Sequence, residues 1–335
     1  MKFCPECEAE EVTRLCKAAE EGNAEAQYML GCCYFWGLGV NKDDAEAVKW
    51  YCKAVEGFRK AAEQGYAEAQ YMLGDCYWWG RGVDEDKTEA VKWYRKAAEQ
   101  GHADAQYRLG LCYYVGMGIA LNYAEAVKWY RKAAEQGYAE AQYELGYCYH
   151  WCRGVDEDET EAVKWYRKAA EQGHIKAQYE LGECYFMGFG VNEDDAEAVK
   201  WYRKAAEQGH VYAQSRLGGY YYEGRGIDQN YAEAVKWYRK AEEQNDWHAR
   251  KQLAKCYYYG HGVKQDYTEA VRLYRKGAEK GISNAKYLLG LCYYEGKGVN
   301  KDVTEALRWI REAANGYSWE AEKWLKEHKA EVDKY

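Results

Sequence analysis

Apolar positions along most of the chain recur every three or four residues rather than every second one. In AQYELGYCYHW, Ala141 to Trp151, the residues Ala141, Leu145 and Tyr149 stand at i, i+4 and i+8, with Cys148 completing the stripe. That spacing predicts an amphipathic helix of about 13 residues, and Gly146 within it lets a neighbouring backbone approach closely. A second block, EAVKWYRKAAEQG, carries Ala, Val, Trp or Tyr, and Ala at helical spacing, with Lys and Arg on the other face, and stops at glycine. No segment alternates apolar with polar, so the expected fold is all-α, with about 17 or 18 helices and no sheet.

The punctuation between the blocks is as regular as the blocks. A GxG[VI] stretch such as Gly80-Arg81-Gly82-Val83 follows the first helix in seven places, and an eighth has Cys152 for the first glycine. Glycine ends a helix by taking the left-handed conformation, and the Val or Ile after it can fold back onto the last turn. A phosphate loop would need a preceding strand and a Lys-Ser/Thr tail, and neither is present. The second helix opens on a capping box every time: Asp43/Glu46, Asp86/Glu89, Asn122/Glu125, Asp158/Glu161, Asp194/Glu197, Asn230/Glu233, Asp266/Glu269 and Asp302/Glu305. These acids are expected to start helices rather than to ligate a metal.

The pattern repeats. The glycine of an LG dipeptide falls at Gly31, Gly74, Gly110, Gly146, Gly182, Gly218 and Gly290, with Ala254 in the missing place, and the spacing is 43 once and 36 thereafter. A fixed period of this size predicts an α-solenoid in which each repeat buries its apolar face against its neighbours. The expected organisation is one array over 1–335: an N-terminal half-repeat at 8–23, eight repeats over about 24–316, and a charged capping helix at 317–335. The longer spacing comes from seven extra residues, Cys52–Phe58, two turns that lengthen a helix without rotating its apolar face. Gly57 is a candidate bend there. Trp50, Trp93, Trp129, Trp165, Trp201, Trp237 and Trp309 share one repeat position and are expected to pack in the core.

Composition narrows the partners. A net charge of -8 and a pI near 5.6 argue against nucleic acid, whose binding needs clustered Lys and Arg. No apolar run approaches the roughly 18–20 residues of a membrane span, and MKFCPECEAEE lacks a signal pattern, so a soluble cytoplasmic chain without membrane contact is expected. Of thirteen cysteines, Cys33, Cys76, Cys112, Cys148, Cys184, Cys256 and Cys292 occupy one repeat position, and Tyr220 fills the eighth. Equivalent positions in stacked helices lie about 10 Å apart, beyond the ~7 Å limit for a disulfide. Buried reduced thiols are therefore expected, with Cys4 and Cys7 the most reactive. Cys4-Pro5-Glu6-Cys7 and Cys16 supply three thiolates where a closed zinc site needs four, so neither metal nor cofactor is expected.

The unit A-x-A-Q-Y-x-L-G-x-C-Y-x-x-G-x-G-V, a short acidic loop, then E-A-V-K-W-Y-R-K-A-A-E-Q-G resembles the Sel-one-like repeat family over about residues 24–316. The resemblance implies antiparallel helix pairs stacked into a right-handed superhelix, similar to tetratricopeptide arrays, with the first helix of each pair on the concave side. It also implies a scaffold or adaptor rather than an enzyme. The family's cysteine-rich bacterial branch bridges its helices with two cysteines per repeat, and the single in-register cysteine here departs from that branch.

By analogy with tetratricopeptide grooves, binding chemistry is expected on the exposed first-helix positions. The leading one carries Glu68, Asp104 and Glu140; three residues on stand Tyr28, Tyr71, Tyr107, Tyr143 and Tyr179; between LG and the cysteine lies Tyr147. The helix ends carry Phe35-Trp36, Trp78-Trp79, Tyr114, His150-Trp151 and Phe186. The expectation is an aromatic groove with an acidic edge over roughly residues 24–190, taking a peptide or protein segment with basic and apolar residues. Two alternatives stay open: the aromatics fill the inner curve of the superhelix, or they form a stacking pocket for a small ring-bearing ligand such as a nucleotide or sugar. Later repeats read differently: the first four have an acid at the leading position and repeats one to five end the helix on Trp, Val or Met, whereas two of the last three end it on Glu223 and Glu295. His150 has no Ser, Cys or Asp partner assignable from spacing, so no catalytic residue is named.

Overall fold

A computed structural model describes residues 5–334, without the side chains of 5–11, 330 and 331. The expectations placed on Cys4 and Cys7 lie outside the described residues. The described residues form eighteen helices and a closing four-residue helix at Lys329–Val332, and no strand occurs among them. Within each unit the helices pack chiefly on their neighbours in sequence. The helices gather into two compact units, Met1–His174 and Ile175–Tyr335.

In the first unit, Pro5–Glu20 packs on Ala24–Trp36, the first helix of the first repeat. Its second helix, Asp44–Glu63, is 20 residues long, where Lys87–Glu99 and Tyr123–Glu135 have 13. The seven inserted residues thus extend one continuous helix. Gly57 sits where that helix meets its neighbour, since a Cβ there would stand 2.6 Å from Ala24 Cβ. First helices Ala67–Trp79 and Ala103–Val115 end on Gly80 and Gly116 at φ 64° and 72°, the left-handed region that glycine adopts without strain. The fourth, Ala139–His150, ends a residue early, and Cys152 takes φ 51° in place of glycine, at a cost of roughly 1–2 kcal/mol.

The capping boxes are half-formed in an informative way. Asp86 Oδ1 accepts from Glu89 N at 2.9 Å, as expected, but the Glu89 carboxylate takes Lys92 at 2.7 Å instead of reaching back. The Asp86 N–H donates to the Tyr77 carbonyl at 2.9 Å, so the cap ties the second helix to the end of the first. Asn122 on Tyr113 and, in the second unit, Asp266 on Tyr257 repeat the arrangement.

Tyr94, Tyr130, Tyr166, Tyr202 and Tyr238, from the second helices, are fully buried. Each lies against the LG glycine of its own repeat. A Cβ on Gly110 would stand 2.7 Å from the Tyr130 ring, so only glycine admits that tyrosine. A row of amides runs along the repeats: Gln70 Nε2 donates to the Ala62 carbonyl of the preceding repeat at 3.1 Å, and Gln100 Nε2, from the second helix of the same repeat, donates to Gln70 Oε1 at 2.7 Å. Gln136 on Gln106 and Gln172 on Gln142 continue it at 2.8 and 2.7 Å. In the second unit Gln208 on Gln178 and Gln244 on Gln214 repeat it at 2.8 and 2.9 Å, after which Arg250 takes Glu242 at 3.0 Å and Lys286 takes Glu312 at 2.9 Å.

Six in-register cysteines, Cys76, Cys112, Cys148, Cys184, Cys256 and Cys292, are buried, and the described cysteines from Cys16 onward form no disulfide. Cys33 is only half-buried: its repeat stacks on the single helix Pro5–Glu20 rather than on a helix pair. Burial pushes the thiols of Cys112 and Cys148 up to about 12. The second-helix tryptophans Trp129, Trp165 and Trp201 are buried, each with a lysine three residues on stacked over its ring at 4.1, 3.9 and 4.2 Å. The last long helix of the second unit is Trp319–Glu327, capped by Ser318 and holding Trp324 against Tyr294 with centroids 5.0 Å apart.

Candidate binding surfaces

Three tryptophans at the ends of first helices in the first unit are exposed, as is Trp319 in the closing helix of the second unit. Trp36, Trp79 and Trp151 are 63%, 51% and 56% exposed. Their neighbours differ because consecutive helical residues point about 100° apart: Trp78 is 8% exposed and Tyr28 is buried. Phe35 is exposed and meets Trp36 edge-on with centroids 4.9 Å apart. Around Trp79 the protein supplies its own cations. Lys87 Nζ lies 4.4 Å over Trp78 and 5.7 Å from Trp79, and Arg81, 5.8 Å from Trp79, donates to the Tyr28 hydroxyl. Around Trp151 it supplies rings, His150 edge-on at 4.8 Å and the half-buried Tyr147 at 6.1 Å. His150 Nδ1 lies 2.7 Å from Glu159 Oε2, which fixes that ring to its own repeat.

The groove tyrosines are packed rather than free. Tyr71, Tyr107 and Tyr143 lie half-buried on Tyr94, Tyr130 and Tyr166, with centroids 6.0, 6.0 and 5.9 Å apart. On the other side they meet His102, Tyr138 and His174 at 4.9, 5.3 and 4.8 Å. Tyr114 packs on Tyr123 at 5.1 Å. In the second unit Tyr179 repeats the layer between Tyr202 and His210, and Phe186 lies under Arg216 at 4.9 Å. Of the acids, Glu68 is exposed and bound to His102 Nε2 at 2.8 Å, Asp104 accepts the Tyr138 hydroxyl at 3.0 Å, and Glu140 is exposed. His102 Nδ1 meanwhile accepts from Ala105 N at 3.2 Å, so this histidine is a helix cap. The structure therefore brings Trp78 with Trp79, and Tyr147 with His150 and Trp151, while Tyr28 and Trp78 form floor rather than contact surface.

A cavity of about 330 Å³ opens in the second unit, on the helix Val211–Glu223. Ser215 and Gly219 leave it room, Tyr238 lies at its base, and Arg216, Arg225 and Lys255 stand in its wall. Sequence reasoning over residues 24–190 missed these residues. The signal was the loss of tyrosine and of any side chain at two successive repeat positions.

The Sel1 repeat pattern matches residues 24–57, 58–66, 67–102, 103–138, 139–174, 175–210, 211–246, 247–282 and 283–318, the first two segments being one repeat divided by the insertion. Among solved structures, a protective antigen of uropathogenic Escherichia coli with an SLR fold is 38% identical, with a TM-score of 0.81 over 92% of this chain. The chain spans 65% of that protein's length. A Sel1 repeat protein from Oxalobacter formigenes is 31% identical, with a TM-score of 0.64 over 94% of this chain and 89% of its own. No curated protein matches the chain. No helix among the described residues is long and apolar enough to cross a membrane.

Proposed function

The chain belongs to the Sel1 repeat family, and from that premise we propose that it is a non-catalytic scaffold whose first unit binds a peptide or protein segment along the first-helix face. One observation carries the reading: Trp36, Trp79 and Trp151 are more than half exposed at one repeat position, while Trp129, Trp165 and Trp201 at the second-helix position are buried. An exposed indole keeps a large apolar area in water, and a partner that covers it recovers the free energy of that area. The repeated spacing suits an extended partner that offers one apolar residue per repeat.

The partner's charge follows from what the rings already hold. Arg81 and Lys87 cover the Trp78–Trp79 pair, which leaves apolar contact as the chemistry at Trp79. Exposed Glu68 and Glu140 favour basic residues beside it. Free thiols suit a reducing compartment such as the cytoplasm. The test is an affinity measurement against segments recovered from a peptide library. Replacing Trp36, Trp79 or Trp151 by Ala should weaken binding by about 2 kcal/mol with the melting temperature unchanged; unchanged affinity in all three would refute the reading.

A further inference from the structure

The sixth repeat departs from its neighbours at two positions one helical turn apart. The first five repeats place tyrosine where it has Ser215, and a side chain where it has Gly219. Neither backbone nor crowding calls for that glycine: its φ is not positive, and a Cβ built on it meets only the Tyr238 hydroxyl, at 3.9 Å. Gly218 beside it is different, since a Cβ there would stand 2.6 Å from the Tyr238 ring. Gly218 is thus demanded by packing, and Gly219 leaves a hole.

The hole has a polar floor. Tyr94 donates to Asp75 at 2.6 Å and Tyr202 to Glu183 at 2.7 Å, and both acids occupy the position that Gly219 leaves empty. The Tyr238 hydroxyl has no hydrogen-bond partner among the described residues, although the side chain is 1% exposed and lines the cavity. Where the equivalent residue is Leu111, the Tyr130 hydroxyl is also without a partner but is sealed from solvent. A buried hydroxyl that faces a cavity of this size is open to a ligand.

The walls add positive charge. Glu183 holds Arg216 through Nε and Nη2 at 2.9 Å each, and Asp195 holds Arg225 through Nε and Nη2 at 3.2 and 2.9 Å, so Nη1 of each guanidinium is unused by its carboxylate. Lys255 makes no ion pair among the described residues and lines the same cavity. Lys251, on the same helix one turn earlier, has its ammonium pKa lowered by burial and then by Lys255. His248 closes one side, with Nδ1 3.1 Å from Ser215 Oγ, and Glu223 is the one carboxylate in the lining.

We propose that this cavity binds a small molecule joining one aromatic ring to one acidic group, carboxylate or phosphate. The ring takes the space of the missing tyrosine against Tyr238, as Tyr143 lies tilted against Tyr166 in the fourth repeat. The acid takes Lys255 and the free guanidinium N–H groups. At about 330 Å³ the cavity lies at the small end of ligand sites, which fits a one-ring ligand. Glu223 opposes a second negative charge.

Calorimetry on the full chain at low salt tests the site with 4-hydroxyphenylacetate and phenyl phosphate, against cyclohexaneacetate for an acid without an aromatic ring and benzyl alcohol for an aromatic ring without an acid. At least one of the first pair should bind, with both controls about tenfold weaker or more. Gly219→Leu, which installs the residue found at Leu111 and Leu291, should abolish binding at an unchanged melting temperature. Lys255→Gln, on a partly exposed side chain, should weaken it about tenfold and serves if the leucine variant does not fold. Trp151→Ala should leave it intact, which separates this site from the peptide surface of the first unit. Absence of binding by every probe, equal binding by the non-aromatic acid, or parental affinity in folded Gly219→Leu or Lys255→Gln would each overturn the proposal.

Discussion

The fourth repeat, 139–174, and the sixth, 211–246, share a frame and differ in what covers it. Each sets a tyrosine against an LG glycine: a Cβ on Gly146 would lie 2.7 Å from Tyr166, and one on Gly218 2.6 Å from Tyr238. In the fourth, Tyr143 and Tyr147 then fill the first-helix face and Trp151 projects from its end. In the sixth, Ser215 and Gly219 leave that face hollow, and Glu223 stands at its end. Residues at the helix–helix contact are fixed by close packing, whereas those one layer out can be enlarged or removed while the helices stay where they are.

Thiol labelling gives the widest separation between fixed and free positions. Cys148 is buried with its pKa pushed up by desolvation to about 12, while Cys152, four residues on, is exposed. A bulky reagent at pH 8 should modify Cys152 and Cys52 on the order of a thousandfold faster than Cys148 or Cys112; similar rates would mean that the in-register position is open. A thiol whose pKa is higher folded than unfolded stabilises the fold below its unfolded value and loses that contribution as pH rises through the folded one. Stability should therefore fall as pH rises from about 9 toward 12, and replacing Cys112 by Ala should flatten that fall.

Truncating the buried tyrosines comes next. Tyr130→Ala should cost about 3–5 kcal/mol in denaturant unfolding. Tyr238→Ala should cost less, because water already reaches that ring's end, and an equal cost would argue that the hollow is closed in solution. Gly146→Ala should cost about 1–3 kcal/mol by forcing the Tyr166 ring aside, against less than about 0.5 kcal/mol for Gly219→Ala. Smallest are the edge charges: Glu68→Gln and Glu140→Gln should weaken peptide binding by under about 1 kcal/mol, an effect that disappears as salt rises.

Much of this frame could be read from residues alone because it is written eight times. Asp86 and Asn122 cap as their spacing predicts, Gly80 and Gly116 take the left-handed conformation, and the insertion after Tyr51 lengthens a helix by whole turns. The capping glutamates were legible only by half, since Glu89 had both the cap N–H and Lys92 within reach and the cap N–H found Tyr77 instead. Burial at the first-helix ends was not legible either: Trp78 and Trp79 read alike as letters, and only the rotation of the helix against its neighbour separates them. The hollow at Gly219 was visible as a break in register, but a missing side chain says nothing of charge until Arg216, Arg225 and Lys255 are placed around it.

The row of glutamine amides has a consequence for assembly. Gln100 on Gln70, Gln136 on Gln106 and Gln172 on Gln142 each tie together the two helices of one repeat, as do Gln208 on Gln178 and Gln244 on Gln214. The bond that crosses to the preceding repeat runs from the first-helix glutamine to a backbone carbonyl: Gln70 on Ala62, Gln106 on Ala98, Gln142 on Ala134 and Gln214 on Ala206. Such a bond carries no address, so a repeat that docks one unit out of place makes the same bond as one that docks correctly. Arg250 with Glu242 does carry one, because a charge pair between the sixth and seventh repeats accepts no carbonyl partner of equal strength. Whole-repeat slippage is thus permitted at the glutamine junctions and blocked at the ionic one, which makes that junction the fixed point from which the count of its neighbours is kept.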